Sequence, residues 1–193
     1  MAERSINNWY QMLVIGGSAG SLDVLLTVLP ALKRKLDLAI IIVLHRRPGE
    51  SQLTNLLGEK SGWPTKEAEE KEAIEKNTIY LAPADYHLLI EKDKTISLDF
   101  SEKVHYSRPS IDVTFETAAD AYGNNMAALL LSGANVDGAK GMQAIKAAGG
   151  LTIVQDPEEA AVSFMPQQAL LHTKVDYIAS TAEIIQIVNQ LNR

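Results

Sequence analysis

The sequence predicts a doubly wound α/β fold: a mostly parallel sheet with helices on both faces and an appended antiparallel hairpin. Three observations carry this reading. Short β-branched apolar runs recur along the chain, helical apolar stripes lie between them, and a glycine-rich turn joins the first run to the first stripe. At 193 residues the chain has the length of one domain, assigned to 10–193, with 1–9 as an N-terminal extension.

The first run, Met12–Ile15, leads through Gly16-Gly17-Ser18-Ala19-Gly20 into Leu22, Leu25, Leu26 and Leu29, whose spacing places one apolar stripe along a helix. Pro30 ends or kinks that helix, because it lacks an amide hydrogen and its ring crowds the preceding turn. Ala39–Leu44 is the second strand, and it stops at His45. The Glu- and Lys-rich stretch from Lys66 to Lys76 reads as a solvated excursion. Thr78–Leu81, Tyr86–Ile90 and Thr95–Phe100 then break the alternation as strand-like runs, the last two joined across Glu91–Lys94, and read as an attached hairpin.

Ile111, Phe115, Ala118, Ala119 and Tyr122 form the next helical stripe, with Pro109 suited to its first turn and Gly123 as its stop. Met126–Leu131 and Leu151–Val154 are further buried strands, with Met142 and Ile145 on a helix between them. Asp176–Ala179 is a weaker fifth strand. The last helix opens with Ser180 and Glu183 at capping-box spacing and carries Ile184, Ile185, Val188 and Leu191.

Composition excludes several classes. The net charge of −6, with no extended basic face, argues against a nucleic-acid partner. Without cysteine there is no disulfide, thiolate nucleophile or thiolate metal site. Met1 to Gln11 lacks the apolar core of a signal peptide. The longest apolar run, Leu36 to Leu44, contains Asp37 and falls far short of the ~20 residues a spanning helix needs. A cytoplasmic location without membrane insertion is the expectation.

The chemistry begins at Ser18. Gly16 to Gly20 satisfies G-x-S-x-G between a strand and a helix, where a sharp turn lifts the hydroxyl clear and leaves the Ala19 N–H free to bind an oxyanion. Such a turn also cradles phosphates, although the dinucleotide pattern wants glycine where Ser18 stands and an acid where the second strand ends in His45. Asp137 follows Met126–Leu131 in the loop Ser132 to Gly138, where its bland alternative is to cap the next helix. Parallel strands place all their carboxyl ends along one edge, so Ser18, His45 and Asp137 share that edge. A hydroxyl, an imidazole to take its proton and a carboxylate to orient the imidazole make an acyl-transfer triad. His87, His105 and His172 are read as structural or surface residues.

Ile15-Gly16-Gly17-Ser18-Ala19-Gly20, Leu44-His45, Leu81-Ala82-Pro83 with His87, Arg108-Pro109-Ser110-Ile111-Asp112, and Ser132-Gly133 through Asp137-Gly138 occur in an order that resembles the catalytic domain of CheB-type protein-glutamate methylesterases. The resemblance implies hydrolysis of glutamate γ-methyl esters on the cytoplasmic helices of chemoreceptors, with deamidation of some receptor glutamines, by a serine mechanism without metal or cofactor. It assigns Ser18 as nucleophile, His45 as base and Asp137 as the residue orienting it. Ala19 and Ala134 fall at oxyanion or substrate positions, and Arg108 near the substrate, with a surface role as its alternative. Ala19 stands where the family has threonine, and Ala134-Asn135 where it has Met-Gly. The family's N-terminal receiver domain has no counterpart before the first strand, which implies activity without a phosphoryl donor. Asp23, Asp112 and Asp120 lie on predicted helices rather than in a strand-end cluster that would hold Mg²⁺. Two other readings stand beside this one: a nucleotide- or phosphate-binding module, and a catalytically silent receptor-binding homologue.

Overall fold

The computed structural model describes residues 9–47 and 52–192, so the expected extension 1–9, apart from Trp9, lies outside the described residues. The strands are β1 (Met12–Gly17), β2 (Ala39–Leu44), β3 (Thr65–Glu67), β4 (Ile79–Leu81), β5 (His87–Ile90), β6 (Ile96–Asp99), β7 (Met126–Leu130), β8 (Leu151–Gln155) and β9 (Tyr177–Ala179). The helices are α1 (Ser21–Val28), α2 (Leu53–Ser61), α3 (Ile111–Tyr122), α4 (Ala139–Ala147), α5 (Phe164–His172) and α6 (Thr181–Val188).

Seven strands form one parallel sheet in the order β3-β4-β2-β1-β7-β8-β9, and β5 and β6 pair antiparallel beside it. Every residue of β1, β2, β7 and β8 is buried, as expected of strands covered on both faces. One face carries Leu25 and Val28 of α1, Leu57 of α2 and Ile184 and Val188 of α6. The other carries Phe115 and Ala118 of α3, Met142 and Ile145 of α4, Ala169 of α5, and Leu88, Ile90 and Ile96 of the hairpin. The doubly wound reading therefore holds.

The local corrections have physical causes. Ile79–Leu81 pairs with β2 inside the main sheet, because all three side chains are buried there; only the other two runs make the hairpin. The charged excursion supplies the edge strand β3, where Lys66 and Glu67 suit an edge. Helix α1 ends at Val28, and Pro30 sits in the single 3₁₀ turn that follows. Pro109 precedes the helix it was expected to begin: Ser110 is the N-cap of α3, its hydroxyl accepting from Val113 N–H. The capping box of Ser180 and Glu183 is formed in both directions.

Candidate active site

The switch in strand order falls at β1, which has β2 on one side and β7 on the other. Residues leaving these three strands at their carboxyl ends are neighbours in space. In the β1–β2 register Gly17 faces Leu44, so one step on Ser18 stands beside His45, whose N–H donates to Gly17 O at 3.2 Å. On the other side Leu131 N–H donates to Gly16 O at 2.9 Å and Ser18 N–H to Ser132 O at 2.9 Å.

The glycines before Ser18 answer to close packing. A Cβ on Gly16 would lie 2.5 Å from Ile111 Cγ2, and one on Gly17 2.6 Å from Ser21 Cβ. Gly20 adopts φ +80° at the entrance to α1, a conformation that side chains resist. Ser21 fastens the turn by donating from Oγ and N–H to Ser18 O at 2.6 and 3.1 Å. Ser132 holds it from the opposite strand end, donating from Oγ to Ala19 O at 2.7 Å.

Asp137 is fully buried, and its carboxylate is enclosed by donors. Oδ2 lies 2.8 Å from His45 Nε2 and accepts Ile111 N–H at 2.7 Å; Oδ1 accepts Ser110 Oγ–H at 2.8 Å and Asp112 N–H at 2.9 Å. Three of these donors belong to the start of α3, where unpaired amides and the helix dipole favour negative charge. Burial pushes the carboxyl pKa up, but the bonds from His45, Asp112 N–H, Ile111 N–H and Ser110 outweigh it, and the net shift is downward. Asp137 is thus held as a carboxylate against His45.

With Nε2 turned to the carboxylate, the other ring nitrogen of His45 faces the loop that carries Ser107. Ser107 Oγ lies 3.5 Å from Nδ1, and Asn135 Nδ2 donates to that same Oγ at 3.1 Å. Among the described residues no hydrogen bond joins the Ser18 hydroxyl to His45. The three sequence-derived residues thus share one strand edge, with His45 and Asp137 in contact and Ser18 adjacent through the backbone.

The two alanines expected from the sequence at oxyanion or substrate positions have amides without a partner among the described residues. Among the described residues neither the Ala19 nor the Ala134 N–H donates to a backbone carbonyl, whereas the Ser18 and Gly133 amides are taken by Ser132 O and Val162 O. Arg108 is differently employed. Nε and Nη2 donate to Asp85 Oδ1 at 3.2 and 2.8 Å, and Nη1 to the carbonyls of Phe100 and Ser101 at 3.0 and 2.6 Å. Most of its donors tie the end of the hairpin to the loop, leaving little of the fork for a substrate carboxylate.

Asp112, read from the sequence as one of several scattered helix acids, is buried, and its own N–H is one of the donors around Asp137. Its Oδ1 accepts Gly138 and Gly141 N–H at 2.8 and 2.7 Å, which joins α3 to the start of α4. Its Oδ2 lies 3.4 Å from His105 Nε2. Burial first, and then the neighbouring Asp137 charge, outweigh the two amide bonds and raise its pKa to about 6. Ser107, Ser110, Asp112 and Ser132 were not singled out from sequence as site residues. Ser110, between a proline and a helical stripe, carried a readable N-cap pattern; the others are placed by tertiary contacts that leave no local trace. Among the described residues no three His, Asp or Glu side chains group as a metal site, and no helix is long and apolar enough to cross a membrane.

Comparison with known proteins agrees with the fold. Residues 13–188 match the family model of the CheB methylesterase. A Leptospira interrogans protein, provisionally named a protein-glutamate methylesterase/protein-glutamine glutaminase, is 44% identical over 187 residues, covering 95% of this chain and 96% of the relative. A Methanosarcina mazei protein-glutamate methylesterase/protein-glutamine glutaminase 2 is 33% identical over 189 residues, covering 92% of this chain but 52% of the relative. The crystal structure of the Thermotoga maritima CheB methylesterase catalytic domain superposes with a TM-score of 0.90 at 32% identity, covering 94% of this chain and 98% of that one.

Proposed function

The chain belongs to the CheB methylesterase family, and from that premise we propose that it is a serine carboxylesterase hydrolysing glutamate γ-methyl esters on the cytoplasmic helices of chemoreceptors. Residues 10–193 form the catalytic unit. The observation that carries this reading is the enclosed carboxylate of Asp137 against His45 Nε2, at the strand end beside Ser18.

Ser18 Oγ attacks the ester carbonyl carbon while His45 Nδ1 takes the hydroxyl proton, and Asp137 stabilises the imidazolium that results. The negative charge that develops on the carbonyl oxygen is received by the free Ala19 and Ala134 amides. Collapse of the tetrahedral intermediate expels methanol, protonated by His45, and leaves an acyl ester on Ser18. Water then attacks with the same imidazole as base, releasing the glutamate carboxylate and the free serine. A glutamine side chain enters the same cycle with ammonia as the leaving group.

The test is methanol release from a methylated receptor by the native chain and by Ser18→Ala. The expected loss in the variant is roughly 10⁴–10⁶-fold with binding retained. A rate in the variant close to native removes Ser18 from the mechanism. Receptor binding by a native chain that releases no methanol favours the silent homologue instead, and saturable nucleotide binding without hydrolysis favours the phosphate-binding module.

A further inference from the structure

A cleft of about 290 Å³ opens beside His45, lined among others by Arg46, Arg47, Asp85, Lys103 and Arg108. We propose that this cleft is a docking groove for an acidic stretch of polypeptide flanking the ester, gripped by Arg47 and Lys103 and anchored on Tyr106. The proposal rests on the esterase reading and adds what selects the substrate.

Charge is the first argument. Four cations and one carboxylate meet here in a chain whose net charge is −6. Two of the cations are spent within the protein: Arg46 on Glu67 at 2.5 Å, and Arg108 on Asp85 at 2.8 Å. Arg47 and Lys103 are exposed, and among the described residues neither has an ion-pair partner. Two unspent cations at the mouth of a cleft beside the base suit a ligand that brings carboxylates.

The second argument is the turn that walls the cleft. Val104 and Ser107 exchange backbone hydrogen bonds of 3.2 and 2.8 Å, and the two residues between them, His105 and Tyr106, both have positive φ, 47° and 61°. Bulky side chains adopt that conformation at a cost, and glycine or asparagine would relieve it. The Tyr106 ring recovers nothing by burial, because it is 97% exposed. The turn is nevertheless pinned from beneath, where Asn135 Nδ2 donates to His105 O at 2.8 Å and to Ser107 Oγ at 3.1 Å. A strained, fixed turn that presents a bare aromatic next to the base has the form of a binding anchor. Phe100, 60% exposed, extends the aromatic surface under the Arg108 guanidinium, which lies 3.8 Å from the ring centroid.

The experiment compares two peptides bearing one glutamyl methyl ester, flanked by glutamates in one and by glutamines in the other. A small neutral ester serves as the measure of intact chemistry. For the native chain, kcat/KM for the acidic peptide should exceed that for the neutral one by roughly 10-fold, expressed in KM and eroded by salt. Charge reversal at both positions, R47E with K103E, should abolish or invert that preference relative to the small ester, and Tyr106→Ala should raise KM for both peptides while kcat is kept. Equal KM for the two peptides, a preference untouched by charge reversal, or competition by duplex DNA but not by polyglutamate would overturn the groove while leaving the esterase standing. No hydrolysis of any ester would instead overturn the reading on which it rests.

Discussion

His45 turns Nε2 to Asp137, 2.8 Å away, and its Nδ1 toward Ser107 Oγ at 3.5 Å. With the proton on Nε2 shared with the carboxylate, Nδ1 is the basic nitrogen of the neutral ring. Replacing His45 or Asp137 by alanine should each cost several orders of magnitude in kcat, and adding either change to Ser18→Ala should cost little more, because the three act as a unit. Measured turnover on one small ester checks this: single losses that multiply in the double variants would remove His45 and Asp137 from a shared mechanism with Ser18.

Ser110 is expected to be a positioning residue. Its hydroxyl donates to Asp137 Oδ1 at 2.8 Å and also caps α3. Ser110→Ala should therefore lower stability by about 1 kcal/mol through the lost cap. It should also move the kcat/KM–pH profile, because one donor to the carboxylate facing His45 is gone. Loss of stability without a shift in the profile would make Ser110 a cap only.

Two neighbouring carboxyls give opposite pH dependences. The folded pKa of Asp137 is depressed, so its ionisation contributes stability above the ordinary carboxylate range and loses it as pH falls through the lower, folded value. That of Asp112 is raised to about 6, so the folded state holds its proton longer, and this residue's contribution declines as pH rises from about 4 to about 6. Asp112→Asn keeps an oxygen for Gly138 and Gly141 N–H and removes that decline. Denaturant titrations between pH 4 and 8 should show the variant gaining on the native chain as pH rises; a constant difference would refute the assignment.

Gly141→Ala should destabilise the fold by about 1–3 kcal/mol despite alanine's better helix propensity. Its Cβ would stand 2.4 Å from Phe115 Cβ, an atom that cannot swing aside without moving α3 from α4. At Gly133 the added methyl would meet the end of Met165 at 2.6 Å and Ser18 Cβ at 2.9 Å. Methionine yields readily, so Gly133→Ala should lose more activity than stability. Thermal melts and turnover on one small ester separate the two effects.

The strands that carry the site were legible, because Met12–Ile15, Ala39–Leu44 and Met126–Leu131 are uninterrupted apolar runs and Ser18, His45 and Asp137 follow them. Their adjacency was not: the order β2-β1-β7 comes from pairing between segments far apart in the chain. Thr65–Glu67 gave no strand pattern, having three polar side chains and one ladder to join. Helix α2 is interrupted by Gly58, and α5 carries Pro166 and buries few apolar residues, so neither showed a continuous stripe. Asp112 looked like any helix acid, since its burial depends on α4 closing over α3. Arg108 showed only its charge, not the carbonyls that occupy it.

The central position of β1 also bears on the order in which the chain is synthesised. The hydroxyl and the imidazole are made early, but both the second neighbour of β1 and the carboxylate for His45 come from the later half, 92 residues after His45 in the case of Asp137. A nascent chain that has emerged only as far as β6 has neither β7 to flank the serine turn nor α3 to enclose the acid. On the proposed mechanism, ester hydrolysis has to wait until β7, α3 and the Asp137 loop have cleared the ribosome and docked, which would keep the unfinished polypeptide chemically silent.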